Sequence, residues 1–278
     1  MKSVLVVGGS GTFGQAFVPI ALDAGAERIR IFSRGEHRQA EMREVHKDDE
    51  RVGFFIGDVR DRDRLRRAMA GVDTVVHASA LKRIEVCEYD VTEMVKTNVG
   101  GAVNVIEAAT DAGVEKVIAL STDKAENPVN AYGAGKLLAE KLFLAANNAR
   151  GTHGPMFSCV RYGNVFASAG SVVPRWRALI AQGCGEVPVT DPGCTRFYMT
   201  PKQACDLVIR TARKMKGGEL EIPELPAYRL GDLAEAMGAD MNIIGLPEWE
   251  KKHESMKPGE TSENARRMTV KEIKAALK

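Results

Sequence analysis

Val4-Leu5-Val6-Val7-Gly8-Gly9-Ser10-Gly11-Thr12-Phe13-Gly14 is the stretch on which the fold is decided. Four successive apolar residues that run straight into glycines read as a parallel strand buried on both faces. The glycines follow the spacing Gly-x-x-Gly-x-x-Gly, which permits a tight turn and close approach of the backbone to a bound group. Gln15 to Ala24 then reads as a helix stopped by Gly25, and its N-terminal N–H groups point back at the turn. Glycine-rich turns are common, so the placement carries the weight: strand, glycine turn and helix in that order make a dinucleotide site. Gly8, Ser10, Gly11, Thr12, Phe13 and Gly14 are its candidate lining.

Outward from this unit the same alternation continues. Arg28 to Phe32 is a second strand and Gly53 to Ile56 a third. Arg62 to Ala70 is helical, Thr74 to Ala78 a fourth strand, and Val91 to Ala112 a long helix with Gly113 after it. Lys116 to Ser121 is a fifth strand, Ala131 to Ala149 another long helix, and Phe157 to Arg161 a sixth strand. This predicts an α/β fold, a doubly wound, Rossmann-like parallel sheet. After about residue 165 glycine, proline and short strands become commoner. The expected division is a nucleotide-binding and catalytic part over 1–165 and a smaller substrate-binding cap over 166–278 that partly returns to the first. Ser255 to Asn264 reads as a polar loop before a last helix near Val270 to Leu277.

Composition excludes several classes. The 278 residues are 44% hydrophobic and 27% charged, with formal net charge +2, an ordinary globular balance. No Lys/Arg run points to nucleic acid or an anionic membrane. The apolar run before Gly8 is too short for a signal peptide or a membrane span. The five cysteines, Cys87, Cys159, Cys184, Cys194 and Cys205, form no Cys-x-x-Cys pair or metal cluster. A cytoplasmic protein with idle thiols and no metal is expected.

The second strand ends at Phe32-Ser33-Arg34. An acidic residue there would hold the ribose hydroxyls of NAD, whereas Arg34 with Arg38 one turn on suits the 2′-phosphate of NADP. Asp58, beside Val59 after the third strand, either accepts from the adenine amino group or caps the next helix. The fifth strand ends at Ser121-Thr122-Asp123-Lys124, and Tyr132-Gly133-Ala134-Gly135-Lys136 begins the following helix. Tyr-x-x-x-Lys puts both side chains on one helix face. An ammonium at Lys136 then favours the phenolate of Tyr132, which becomes a base for a hydroxyl proton. His77, Trp176 and Met215 read as packing residues.

Ser121-Thr-Asp-Lys-Ala-x-Asn-Pro-Val-Asn-x-Tyr-Gly-x-x-Lys136 resembles the UDP-N-acetylglucosamine 4,6-dehydratases, in particular the C5-inverting type, within the extended short-chain dehydrogenase/reductase superfamily. The resemblance extends over Ser33 to Met42, His77 to Lys82, Lys96-Thr97-Asn98, Arg161 to Val165, and Thr190-Asp191-Pro192 to Arg196-Phe197. It implies that Tyr132 starts oxidation at sugar carbon 4, Lys124 removes the carbon 5 proton, Asp123 protonates the departing carbon 6 hydroxyl and Thr122 bonds the carbon 4 oxygen. It adds Ala78, Ser79, Ala80, Lys82 and Asn98 to the cofactor site, and Lys82, Asn164, Arg196 and Lys257 to the site for the UDP-sugar. A homo-oligomer is implied as well. The C-terminal Arg-Pro-Gly-Glu-Lys-x-x-Glu pattern is altered here to Lys257-Pro258-Gly259-Glu260-Thr261-Ser262-Glu263, which keeps a positive charge but loses the arginine fork. A 4-epimerase or another sugar-nucleotide dehydratase is the alternative on the same scaffold, and a catalytically idle NADP-binding regulator is the alternative of another class.

Overall fold

The computed structural model describes residues 1–278. Strands β1 (Ser3–Val7), β2 (Arg28–Ser33), β3 (Val52–Ile56), β4 (Thr74–His77), β5 (Lys116–Thr122) and β6 (Met156–Tyr162) build one sheet. Two of the later strands, β7 (Glu186–Val189) and β8 (Thr195–Phe197), lie apart from it, whereas β9 (Leu220–Glu221) joins it. The order is β3-β2-β1-β4-β5-β6-β9, with every neighbouring pair parallel. This is the doubly wound α/β sheet expected, with the order reversing beside β1, where such sheets bind ligands at the carboxyl ends of their strands.

Alternation along each strand divides two cores between the two faces. Val4, Val6, Ile29, Ile31, Ile118 and Val160 pack under helices Thr12–Asp23 and Pro201–Lys214. Leu5, Val7, Phe32, Val117 and Phe157 face the other way, under helices Arg62–Met69, Gly101–Asp111 and Ala131–Ala146. A third core, around Phe166, Trp176, Val187, Tyr228, Leu233 and Ile273, is drawn wholly from residues after 165. Trp176 and Met215 are buried, as packing residues should be. All five cysteines are free thiols, and only Cys184 is exposed. No helix is long and apolar enough to cross a membrane.

Several elements differ from the sequence expectation. Helix Glu36–Val45 buries only Gln39 and Met42, so it carries almost no apolar period. The expected single helix over 91–112 is α-helical at Val91–Met94, widens to a π-helix over Val95–Gly100 and resumes as Gly101–Asp111. Gly101 lies against Val59: a Cβ there would stand 2.9 Å from Val59 Cγ1. The helix expected to reach Ala149 stops at Ala146, because the Asn147 amide turns away and pairs with both backbone groups of Phe157. The expected loop over 255–264 contains a hairpin, β12 (Ser255–Lys257) with β13 (Glu260–Thr261). It follows the short strands β10 (Ala227–Arg229) and β11 (Asp240–Ile243). Arg161 fixes the hairpin: its fork grips Glu140 at 2.6 and 2.9 Å, while its remaining nitrogen meets Glu126 and the Met256 carbonyl.

Candidate active site

The glycine turn is shaped by steric necessity. Gly8 sits at φ +83°, and a Cβ on it would lie 2.7 Å from Ser79 Cα. At Gly14 a Cβ would stand 1.9 Å from the Gly9 carbonyl oxygen. The Gly8 and Gly9 N–H groups both donate to Phe32 O, and Gly11 N–H donates to Gly8 O. Helix Thr12–Asp23 opens on Gly11 with no side-chain cap, leaving first-turn N–H donors for an anion. A backbone cradle that a Cβ would fill, at an uncapped helix start, fits a dinucleotide pyrophosphate.

The other cofactor candidates surround this turn. Ser10 is buried, and Phe13 stacks on Phe17 at 5.3 Å. Thr12 Oγ1 accepts from Ala169 N–H, and Lys82 Nζ donates to Ala169 O at 3.0 Å, so the segment at Ala169 straps the turn to the loop after β4. Ser33 is held by the Gln39 amide. Arg34 is half exposed, 3.6 Å from Asp58, and Arg38 is exposed on helix Glu36–Val45. Asp58 does not cap the following helix, since Asp61 does. Its carboxylate is chelated by the Arg60 guanidinium instead; partial burial raises Asp58, but the Arg60 bonds outweigh it and hold the carboxyl below its usual range. The Val59 carbonyl accepts from Asn104, and Ala78 N–H donates to Val7 O. Ala80 is half-buried in the same loop. The Asn98 amide, presented by the π-helix, pairs with both N–H and C=O of Leu81.

At the carboxyl end of β5 the chain makes a single 3-10 turn, Asp123–Ala125. Thr122 Oγ1 donates to Asp123 Oδ1 at 2.9 Å. Lys124 Nζ lies 3.2 Å from Asp123 Oδ1, 3.0 Å from Glu254 Oε1 and 3.3 Å from Asn164 Oδ1. Two glycines bring these parts together. A Cβ at Gly133 would meet Lys124 O at 2.3 Å, and one at Gly163 would meet Phe197 Cβ at 2.4 Å and Asp123 Oδ2 at 3.3 Å. Asn130 caps the helix that carries Tyr132 and also donates to Trp249 O.

The electrostatics modify the expected roles. Burial drives the Asp123 carboxyl above its usual range against the pull of Lys124, and its Oδ2 has no partner. Burial disfavours the Lys124 ammonium, but Asp123 and Glu254 reverse the balance and hold Lys124 above its normal value. The carbon 5 base expected at Lys124 is held here as a cation between Asp123 and Glu254. Tyr132 is pushed up to about 12 by burial, with Lys124 and Thr122 drawing it back. Lys136 was expected to supply that pull. Its Nζ is turned instead to Leu120 O at 2.5 Å, and burial lowers its own pKa.

Two substrate candidates are engaged elsewhere. Arg196 is neither a surface ion pair nor a free fork: it is buried, 2.8 Å from Glu250, and donates to Thr195 O and Lys252 O. Lys257, half exposed, pairs with Glu260 at 2.7 Å. Nothing in the sequence marks Glu254, one of several glutamates in a polar stretch, although it is buried in the center of this cluster.

Comparison with known proteins adds independent findings. The profile of a family described as polysaccharide biosynthesis protein matches residues 4–276. A UDP-N-acetylglucosamine 4,6-dehydratase (inverting) from Campylobacter jejuni is 46% identical over 258 residues, 92% of this chain and 77% of that protein. A UDP-glucose 4-epimerase from Rickettsia rickettsii is 39% identical over 265 residues, again 92% and 77%. The X-ray structure of Pen from Bacillus thuringiensis superposes with TM-score 0.94 at 34% identity, covering 99% of this chain and 98% of that one.

Proposed function

The chain belongs to the polysaccharide biosynthesis protein family, and on that premise we propose that it dehydrates a UDP-sugar, UDP-N-acetylglucosamine or a near relative, to a 4-keto-6-deoxy sugar nucleotide with NADP as a recycled cofactor. Residues 1–165 supply the cofactor site and the reacting groups, and 166–278 the bulk of the substrate site. The observation that carries this reading is the Asp123–Lys124 pair, 3.2 Å apart beside Tyr132.

The bound dinucleotide supplies a hydride acceptor at carbon 4 and, later, a donor at carbon 6. Tyr132, whose phenolate burial disfavours and Lys124 and Thr122 favour, takes the carbon 4 hydroxyl proton, and Thr122 bonds the oxygen left there. The ketone so formed acidifies carbon 5, whose proton goes to Lys124. Asp123, whose carboxyl burial raises above its usual range, gives its proton to the carbon 6 oxygen as it leaves; such a transfer contributes roughly 10²–10⁴-fold in rate. Arg34 and Arg38 favour NADP over NAD. An epimerase needs proton transfer at carbon 4 alone and has no use for an acid aimed at carbon 6. The identity to the Rickettsia 4-epimerase keeps that second reading in the test.

The test is incubation of the purified protein with UDP-N-acetylglucosamine in heavy water, followed by mass spectrometry. The expected product has lost one water, carries deuterium at carbon 5 and forms without accumulation of NADPH. An isomer of unchanged mass establishes the epimerase. No turnover across a panel of sugar nucleotides removes the enzymatic reading and leaves a nucleotide-binding protein.

A further inference from the structure

Dehydration as proposed above asks Lys124 to act as a base, yet its ammonium is held between two carboxylates. We propose that Glu254 is a positioning residue of that reaction: it takes up the surplus proton of Lys124 along their 3.0 Å contact and so frees the amine that attacks the carbon 5 proton. The role rests on the dehydratase reading.

Geometry places Glu254 against Lys124. Its side chain is 2% exposed, Oε1 faces Lys124 at 3.0 Å, and Oε2 has no hydrogen-bond partner, with Lys251 Nζ standing off at 3.8 Å. The backbone on either side is clamped, since Glu254 N–H donates to Ser262 Oγ and Ser262 N–H to Glu254 O. Ser262 is itself bonded to Thr195. With Asp123 holding the acid proton that the reaction needs, Glu254 at 3.0 Å is the carboxylate left to take a proton from Lys124.

Proton counting shows what the second carboxylate permits. The charged groups around Glu254 are Lys124, Arg196 and Lys251, with Asp123 beyond Lys124. Burial raises both carboxyls, but only at Glu254 do Lys124 and Arg196 outweigh it, so Asp123 holds a proton more readily than Glu254. With the acid proton on Asp123, as the dehydratase reading requires, the cluster is neutral. Moving one proton from Nζ to Glu254 breaks an N–H bond, forms an O–H bond and leaves the pair on nitrogen. All three groups are then uncharged, a state that burial favours and the mutual pull of Lys124 and Glu254 opposes, so the transfer is uphill and the free amine short-lived. The amine next binds the carbon 5 proton, and the C–H electrons become the C5–C6 double bond. The C6–O pair departs with the oxygen, which takes the Asp123 proton and leaves as water.

Glu254→Gln keeps the shape and removes the proton acceptor. With UDP-N-acetylglucosamine, carbon 4 oxidation should persist, seen as absorbance of the bound reduced dinucleotide, with KM little changed. Elimination should fall by about 10²-fold at neutral pH, the scale of one proton-transfer group. The deficit should shrink as pH rises, because Lys124 with one anion fewer reaches the amine at lower pH; Glu254→Asp should recover part of the rate. Native rates across pH in Glu254→Gln overturn the role, as does an equal loss of oxidation and elimination at every pH, the mark of a structural residue. Independently of turnover, the ¹³C carboxyl signal of Glu254 should titrate at higher pH in Lys124→Met than in the native chain, and an unmoved titration also overturns the role. Failure of the native protein to dehydrate any sugar nucleotide overturns the reaction and this role together. Native turnover with an indifferent Glu254→Gln overturns this role alone.

Discussion

Gly14→Ala separates a glycine demanded by the cofactor cradle from one that merely occupies it. A Cβ at Gly14 would lie 1.9 Å from Gly9 O, whereas a Cβ at Gly11 would meet nothing nearer than Gly8 O at 3.2 Å. Relieving the first overlap requires the Gly9 peptide to move by about 1 Å or more, beyond the tolerance of a hydrogen bond centered near 2.9 Å. Relieving the second takes a few tenths of an ångström. If two backbone N–H bonds to the pyrophosphate are lost, each worth about 1.5–3 kcal/mol when the acceptor is charged, the loss is about 3–6 kcal/mol. That is roughly 10²–10⁴-fold in Kd. Gly11→Ala should stay within about tenfold of native by the same conversion. Calorimetric titration with NADP measures both, with thermal melting as the control for folding. A Gly14→Ala protein that melts like the native one and binds NADP within threefold, or a Gly11→Ala protein equally impaired, refutes the reasoning.

Three further outcomes follow from the same geometry. Tyr132→Phe should lower turnover by roughly 10³-fold, within the range of a lost general base, with NADP affinity unchanged by titration. Arg34→Ala should weaken NADP by roughly 10–100-fold, the scale of one charged hydrogen bond, and leave NAD nearly unaffected in the same titration. His77 is buried against Phe143 and pushed down to about 3, by burial first and Lys136 second. The unfolded chain therefore binds a proton below its ordinary pKa near 6.5 that the folded one refuses, so stability is present above that pH and falls as pH drops. At pH 5 the loss is about 2 kcal/mol, and urea melts of His77→Phe should lack it.

How much of this was legible in the sequence depends on the range of the interaction. The strand ending at Val7, its glycines and the next helix are local, and a strand that is apolar on both faces declares a parallel sheet. Tyr132 and Lys136 share a helix turn, so their spacing alone sets them on one face. Helix Glu36–Val45 was hidden because it lies on the surface with two buried residues and no apolar stripe. The π-helix was hidden because an inserted residue leaves no periodic trace when Gly100 and Gly101 interrupt the pattern. The charge state of Lys124 was only half in view, since it is set by the adjacent Asp123 together with Glu254, and the second contact exists only once the whole chain has folded. Arg196 illustrates the converse: its charge suggested phosphate, but its surroundings supply Glu250 and two carbonyls first.

The hairpin anchored by Arg161 gives the site a timetable. Asp123 and Lys124 lie on the turn that follows β5, whereas Glu254 arrives about 130 residues later, just before β12. At roughly 5–20 residues per second, a ribosome needs on the order of ten seconds to bridge that gap. The sheet from β1 to β6 can gather during synthesis, holding an ammonium with one of its two carboxylates. Only when Met256 docks on Arg161 and Ser262 closes over Glu254 does the last charge reach the cluster, so a nascent chain has the cofactor cradle well before it has a finished acid–base center.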